Sequence, residues 1–353
     1  EMRFGSKIVK ADMPRDGDPD VIYLKLVGSN ARMNYFVGIF NVIKKYSPKY
    51  IVIDNDPASI MVLQIAIFSK IINKANIFCI SYENLPLTLH SSYTRRGFSS
   101  VIPLIYKKFI LALSKTLITG LFVVNDDGHQ IFKSNGIKNI CKIPLGFDSN
   151  YFKIDYESRI QKRKQLGVEN KFVIGYFGRI SYEKGVHTLL SALSRLLKYD
   201  WILLIDKFDR YHNSYAKAIN DQIDNEGLSD RVIYSSPSHI NIGKFMNAVD
   251  VVVMPSISTP VWVEQYGRVA PEAMACGKIV IASNTGAIPM LLNGHGILFD
   301  EGDVNDLTNT LTEIIDGGDG GLLFCSQEIS DYAHKSLNTV KQAKSMLTFM
   351  ESI

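Results

Sequence analysis

The chain has 353 residues, 46% of them hydrophobic and 21% charged, a globular composition at the length of two domains that excludes a disordered or fibrous protein. Its net charge of +4 divides unevenly: residues 1–150 hold 19 Lys and Arg against 11 Asp and Glu, and residues 151–353 hold 20 against 24. A basic first half fits an anionic partner, a membrane surface ahead of nucleic acid, or else a solvated basic face.

The four cysteines, Cys79, Cys141, Cys276 and Cys325, are scattered without a Cys-x-x-Cys, which argues against disulfides or zinc and for a reducing, cytoplasmic setting. No signal-peptide pattern is visible, and the apolar runs IMVLQIAIF and KKFILALSKTLITGLFVV span a bilayer poorly, being too short or interrupted by Lys115. The chain opens Glu-Met, so either Met2 is native or the true beginning is missing; a fragment is expected to fold yet lack activity.

In chain order, strands are predicted at 21–27, 50–55, 76–81 and 120–125, with helices near 31–46, 58–73 and 101–116 between them. The segment 146–171 is polar, without a buried-strand pattern, and reads as the join. Strands follow at 172–178, 201–206, 231–236, 251–256 and 278–283, with helices near 185–198, 211–226, 268–275 and 304–316. Continuous apolar strands alternating with helices predict parallel sheets covered on both faces. The expected organisation is therefore α/β, with Rossmann-like domains at 1–150 and 151–330. The Gly-rich run 315–323 reads as a flexible loop, and 331–353 as one helix capping either half.

Parallel sheets bind ligands beyond the carboxyl ends of their strands. The first loaded strand end is GYFGRISYEKGVHTLL, where Gly178 is expected to allow a tight turn and Arg179 and Lys184 precede a helix. Two cations there form an anion site suited to phosphate, or else a solvated loop. The second is MPSISTPVWVEQYGRVAPEAMACGK. Pro271 suits a first helical turn and Gly277 a stop. Glu264 then lies in the loop and Glu272 just inside the helix, with the N–H groups around Tyr266, Gly267, Arg268, Val269 and Ala270 left to receive an anion. Phosphate flanked by hydroxyl-accepting carboxylates describes a nucleotide sugar, with Glu264 on the sugar and Glu272 on the ribose. The alternative for Glu272 is an ordinary helix-start acid.

The second half resembles the retaining glycosyltransferases of family four, on FGRISYEKGVHTLLSAL, on the Glu-x7-Glu of EQYGRVAPE, on GHGILFDEGDVNDLTNTL, and on IPLGFDSNYF at the join. That resemblance implies the GT-B fold, two facing Rossmann-like domains with a cleft between them, here with a shortened N-terminal domain, and a last helix that crosses back onto the first domain. It implies Arg179 and Lys184 on the donor diphosphate, Glu264 on the transferred sugar and Glu272 on the ribose. Such a site needs no metal or other cofactor, because cations and a helix dipole stabilise the departing diphosphate; Asp54-Asn-Asp56 lies in the half where the acceptor would bind.

The sequence departs from the family's pattern in four places. No Gly-rich loop is supplied at 1–30. SYENLP carries Glu83 where the family commonly has His, either as a substitute in the site or as a polar loop residue. Asp206 and Lys207 replace a Gly-rich turn, and Met290 replaces a Glu after Ala-Ile-Pro. His187, His295 and Trp262 lie in or near the same segments without a fixed role. The stretch 94–115 mixes Arg95, Arg96, Lys107 and Lys108 with apolar residues, as a helix in shallow contact with anionic lipid would, or as a core helix with charged ends.

The expected function is transfer of a sugar from a UDP- or GDP-type nucleotide sugar to a glycan or lipid-linked acceptor. It would act in surface-polysaccharide or glycoconjugate synthesis, in the cytoplasm or on the inner membrane face. The alternatives are a nucleotide-sugar-binding protein with lost catalysis, or another GT-B enzyme such as an epimerase. A dehydrogenase is disfavoured, because no Gly-x-Gly-x-x-Gly follows a strand.

Overall fold

The structure, a computed structural model, describes residues 2–4, 7–9, 19–28, 32–207, 213–317 and 325–353. Most of the Gly-rich run 315–323 lies outside them, as do the side chains of Arg95 and Arg96. The chain forms two compact units: residues 1–79 with 105–119, and residues 80–104 with 120–353.

In the first unit two short antiparallel pairs come first, β1 (Met2–Phe4) with β2 (Lys7–Val9), and β3 (Lys25–Val27) with β4 (Tyr35–Val37). The expected helix over 31–46 therefore shortens to α1 (Ile39–Tyr46), which starts after Gly38 reverses the chain at φ +89°. The parallel pattern begins only at β5 (Tyr50–Ile53), which pairs with β6 (Asn76–Ser81) around α2 (Ile60–Ile72). The Ser59 hydroxyl caps α2 by accepting from the Val62 N–H. The later part of α4 (Val101–Ser114) completes this unit.

The second unit starts with α3 (Leu89–Arg96), then β7 (Gly120–Val123), α5 (Asp126–Ser134) and β8 (Ile140–Lys142), with β7 and β8 parallel. The segment expected to be irregular contains α6 (Tyr156–Leu166), bounded by the Asp155 side chain at its start and left-handed Gly167 at its end. Its inward face shows no apolar stripe because arginines dock it. Arg159 donates to the Asn247 and Val249 carbonyls, and Arg163 to that of Ala248. Both also hold the Asp250 carboxylate.

A six-stranded parallel sheet follows, built from β9 (Phe172–Tyr176), β10 (Trp201–Asp206), β11 (Val232–Ser235), β12 (Val251–Met254), β13 (Ile279–Ser283) and β14 (Ile297–Phe299) in the order β11-β10-β9-β12-β13-β14. The helices are α7 (Val186–Ser194), α8 (Ser214–Asn225), α9 (Ile242–Ala248), α10 (Val269–Ala275), α11 (Ile288–Leu292) and α12 (Val304–Asp316). Ile174, Leu189, Leu193, Trp201, Leu203, Val251, Ile281, Leu307 and Leu311 pack into one core, each contributing roughly 1.5–3 kcal/mol by leaving water. The chain winds outward from β9 through β10 and β11, then crosses back to β12 on β9's other side. That reversal sets the loops leaving the carboxyl ends of β9 and β12 side by side, the position at which sheets of this kind receive ligands.

The segment expected as a single last helix is two, α13 (Ser326–Ser336) and α14 (Thr339–Glu351). Asn338 interrupts them, its side chain accepting from the Lys341 N–H. On α14, Phe349 meets Phe122 of β7 at 5.5 Å, and Gln342 Oε1 accepts the Gly146 N–H.

Candidate active site

The two loops at the β9/β12 reversal are the two that the sequence marks as chemically loaded. After β9, Gly178 and Arg179 lead into a 3-10 turn, Tyr182–Lys184, and Gly185 then opens α7 at φ +64°. A Cβ at Gly185 would stand 1.7 Å from the Pro255 carbonyl oxygen, so only glycine lets the turn seat on the end of β12. The Ile257 N–H donates to the Glu183 carbonyl at 2.9 Å and fixes the seat. Gly178 itself has no left-handed backbone. Its side-chain position faces the Tyr176 hydroxyl at 3.2 Å, so close approach rather than a special turn explains the glycine.

This seating aims Lys184 at Glu264. The ammonium lies 2.5 Å from Glu264 Oε2 and 4.8 Å from the Trp262 ring centre. Ser256 Oγ donates to the same carboxylate oxygen at 2.9 Å. Glu264 is buried, and among the described residues no hydrogen bond reaches its Oε1. Arg179 stays at the rim of the loop: its side chain is 74% exposed and its guanidinium is 3.7 Å from Glu183.

Beyond Glu264, Tyr266 is buried, and burial raises its hydroxyl pKa. Gly267 turns the chain, and Val269 starts α10, as Pro271 in the first turn and Gly277 after the last predict. One expectation fails here. The Ala270 N–H donates to the Gly267 carbonyl at 3.0 Å, so the turn itself consumes an amide expected to await an anion. Glu272 is buried, and desolvation raises its pKa to about 7 although Arg268 nearby opposes the shift. Arg268 lies 3.5 Å from it, one helical turn earlier.

Glu83 serves its own loop, where its Oε1 accepts the Leu85 N–H at 3.2 Å. Its neighbour Asn84, which sequence reasoning passed over, is buried and donates to the carbonyls of Val263 and Glu264 at 3.2 Å each. Asn125, also overlooked, caps α5 and donates to the Gln265 carbonyl at 2.8 Å. Both asparagines follow strands, so reading every strand's carboxyl end would have exposed them. Met290 accepts from Lys142 Nζ through its sulfur at 3.6 Å. The histidines are held by rings: His187 stacks on Tyr182 and His295 on Tyr332. A cavity of about 730 Å³, lined by Arg159, Arg163, Asp250 and Lys278, contains none of the candidate site residues.

Residues 158–323 match the model of the family described as glycosyl transferases group 1. The lipopolysaccharide core biosynthesis mannosyltransferase LpsB of Rhizobium meliloti (strain 1021) is 27% identical over 48% of this chain and 49% of its own. The capsular polysaccharide biosynthesis glycosyltransferase CapM of Staphylococcus aureus is 28% identical over 63% of this chain and 60% of its own. The chain spans about half the length of the curated relatives it matches. Among solved structures, Anabaena HepE in complex with UDP superposes with a TM-score of 0.71 at 24% identity, over 89% of this chain and 81% of HepE. The architecture is thus the α/β two-domain GT-B fold with parallel sheets.

Proposed function

We propose that this chain is a glycosyltransferase that moves a sugar from a nucleoside-diphosphate sugar to a hydroxyl of a glycan or lipid-linked acceptor, with retention at the anomeric carbon. The observation that carries the reading is the meeting of Lys184 and Glu264 at the β9/β12 reversal, where a doubly wound sheet receives ligands. The group 1 match spans both loops, and HepE, of like fold, was crystallised with UDP. LpsB and CapM are named for lipopolysaccharide and capsular polysaccharide synthesis, which supports a surface glycan as the product.

In this reading the bond between the anomeric carbon and the phosphate oxygen breaks with its electron pair leaving on the diphosphate. The acceptor oxygen bonds to the same face of the sugar and passes its proton to the departing phosphate. Lys184, with Arg179 at the rim, stabilises the developing charge electrostatically, and no cofactor or metal takes part. Glu264 accepts a sugar hydroxyl through Oε1, and Glu272 accepts from the ribose, which favours its ionised form.

The test is thermal unfolding with UDP-, GDP-, ADP- and dTDP-sugars, with and without magnesium. A ligand at about 100 times its dissociation constant adds roughly 2.7 kcal/mol. A metal-independent rise with one nucleotide class is expected, followed by sugar transfer that Glu264→Ala abolishes. If no nucleotide sugar moves the melting temperature, the reading fails.

A further inference from the structure

Helix α4 carries two apolar sides. Leu104, Ile110 and Leu111 are buried. On the opposite side lie Ile102, Ile105, Phe109 and Leu113, preceded by Phe98 on the 3-10 turn Gly97–Ser100 that leads into the helix. Their spacings of four, three, four and four place them along one helical face. They are 81, 79, 58, 60 and 41% exposed in the order Phe98, Ile102, Ile105, Phe109 and Leu113. The patch continues onto α3, where Tyr93 packs edge-on against Phe98 at 5.1 Å and Leu89 is 55% exposed. A helix on a protein surface ordinarily turns this side polar, and a contiguous apolar patch left in water marks an interaction surface.

Charge identifies the partner. From Asn84 to Asn125 the sequence holds five Lys and Arg and no Asp or Glu. Of these, Lys108 and Lys115 are exposed and flank the stripe along one edge. A second copy of the chain docked on this face would set lysines against lysines, with no acid in the segment to offset them. An anionic lipid surface accepts both features, the side chains in its interfacial layer and the ammonium groups at its phosphates.

We propose that the face of Phe98, Ile102, Ile105, Phe109 and Leu113 lies in the surface of a bilayer containing anionic lipid, with Lys108 and Lys115 at headgroup level. The helix lies on the membrane rather than crossing it. Gly97–Ser114 has the length and apolar character of a span, yet one third of it is buried within the chain, so lipid cannot surround it. This proposal does not depend on the reading of the Lys184–Glu264 site.

The experiment is co-sedimentation of the full chain with phosphatidylcholine vesicles, with and without phosphatidylglycerol at about one lipid in three. Binding is expected only to the anionic vesicles. Ile102→Ser with Phe109→Ser should weaken it roughly tenfold or more, because two large side chains leave the interface. Lys108→Glu with Lys115→Glu should weaken it on the order of tenfold and flatten its salt dependence. The replaced side chains are exposed, and unchanged thermal unfolding of each variant checks that the fold is kept. Equal binding to neutral vesicles, no binding to either, or undiminished binding by the Ile102/Phe109 variant would each overturn the proposal. So would a dimer in solution that the Ile102/Phe109 variant dissolves, since a second copy would then be the occupant.

Discussion

Lys184 and Glu264 stand 80 positions apart and meet at 2.5 Å, each holding the other's charge in a site with little access to water. Removing the cation strands a buried carboxylate with Ser256 as its remaining donor, and such losses cost about 3–5 kcal/mol in fully buried pairs. Lys184 is 21% exposed, so Lys184→Met is expected to cost about 2–3 kcal/mol at pH 7, and Lys184→Met with Glu264→Gln to recover most of it. Denaturant unfolding of the single and double variants measures both. A single variant as stable as the wild type would mean the pair does not hold the loops.

Gly185 and Gly167 make a matched comparison, both left-handed at φ +64° and +68°, but only Gly185 faces an obstacle, the Pro255 carbonyl. Gly167→Ala should cost about 1 kcal/mol, the ordinary penalty of that backbone region. Gly185→Ala should cost about 3 kcal/mol or more, because the 182–185 turn must leave its seat, and should also abolish any melting-temperature response to nucleotide sugars. Equal costs at the two positions would show that the contact with β12 is not tight.

Asn84 and Asn125 hold three successive carbonyls, Val263 to Gln265, and so set the height of Glu264. Replacing either by Ala removes these bonds, but the Glu264 carbonyl keeps the Ala287 N–H and those of Val263 and Gln265 are only partly buried, so each change should cost about 0.5–1.5 kcal/mol. The losses should be less than additive, since both act on one strip of backbone. A double-mutant cycle read by chemical denaturation decides this, and strict additivity would separate the two residues.

Burial raises the Glu272 carboxyl from 4.5 to about 7, Arg268 opposing. Between those values the native state keeps a proton that the unfolded state releases, so stability is fully present below pH 4.5 and is lost as pH rises through about 7. Glu272→Gln removes the effect. Its stability relative to wild type should therefore climb by about 2–3 kcal/mol between acidic and mildly alkaline pH. A pH-independent difference would mean that the carboxylate is solvated.

Lys278 shows the opposite sign. Burial, and then Arg159, lower its ammonium from 10.5 to about 8, while Asp250 resists. The native state thus binds fewer protons than the unfolded state across that interval, and stability falls as pH drops from 10.5 to about 8. Lys278→Met should raise the melting temperature at pH 7, with the gain vanishing above pH 10.5. A melting temperature unchanged at pH 7 would place the ammonium in water.

The legible parts of this fold are those whose signal is local. β9, β10, β12 and β13 are buried on both faces and therefore read as continuous apolar runs. α10 announces itself through Pro271 and Gly277. Helix α6 stayed hidden because its buried side is made of arginines bound to carbonyls and to Asp250, which in sequence look like surface charge. The pair β1–β2 and strand β4 escape the pattern because three-residue strands carry too little periodicity, whereas β3 lies within the strand expected at 21–27.

That cations end one strand and carboxylates follow another is already written in the chain, in residue type and in spacing to the strand ends. The sequence also places Lys107 and Lys108 amid an apolar run. Tertiary structure alone decided that Lys184 reaches Glu264 while Arg179 remains at the rim, that Asn84 and Asn125 carry the loop, and that Phe98, Ile102, Ile105, Phe109 and Leu113 face water. The reason is physical: hydrophobic patterning selects which segments form strands and helices, but whether an apolar or charged side chain meets protein or solvent depends on what distant parts of the chain cover it.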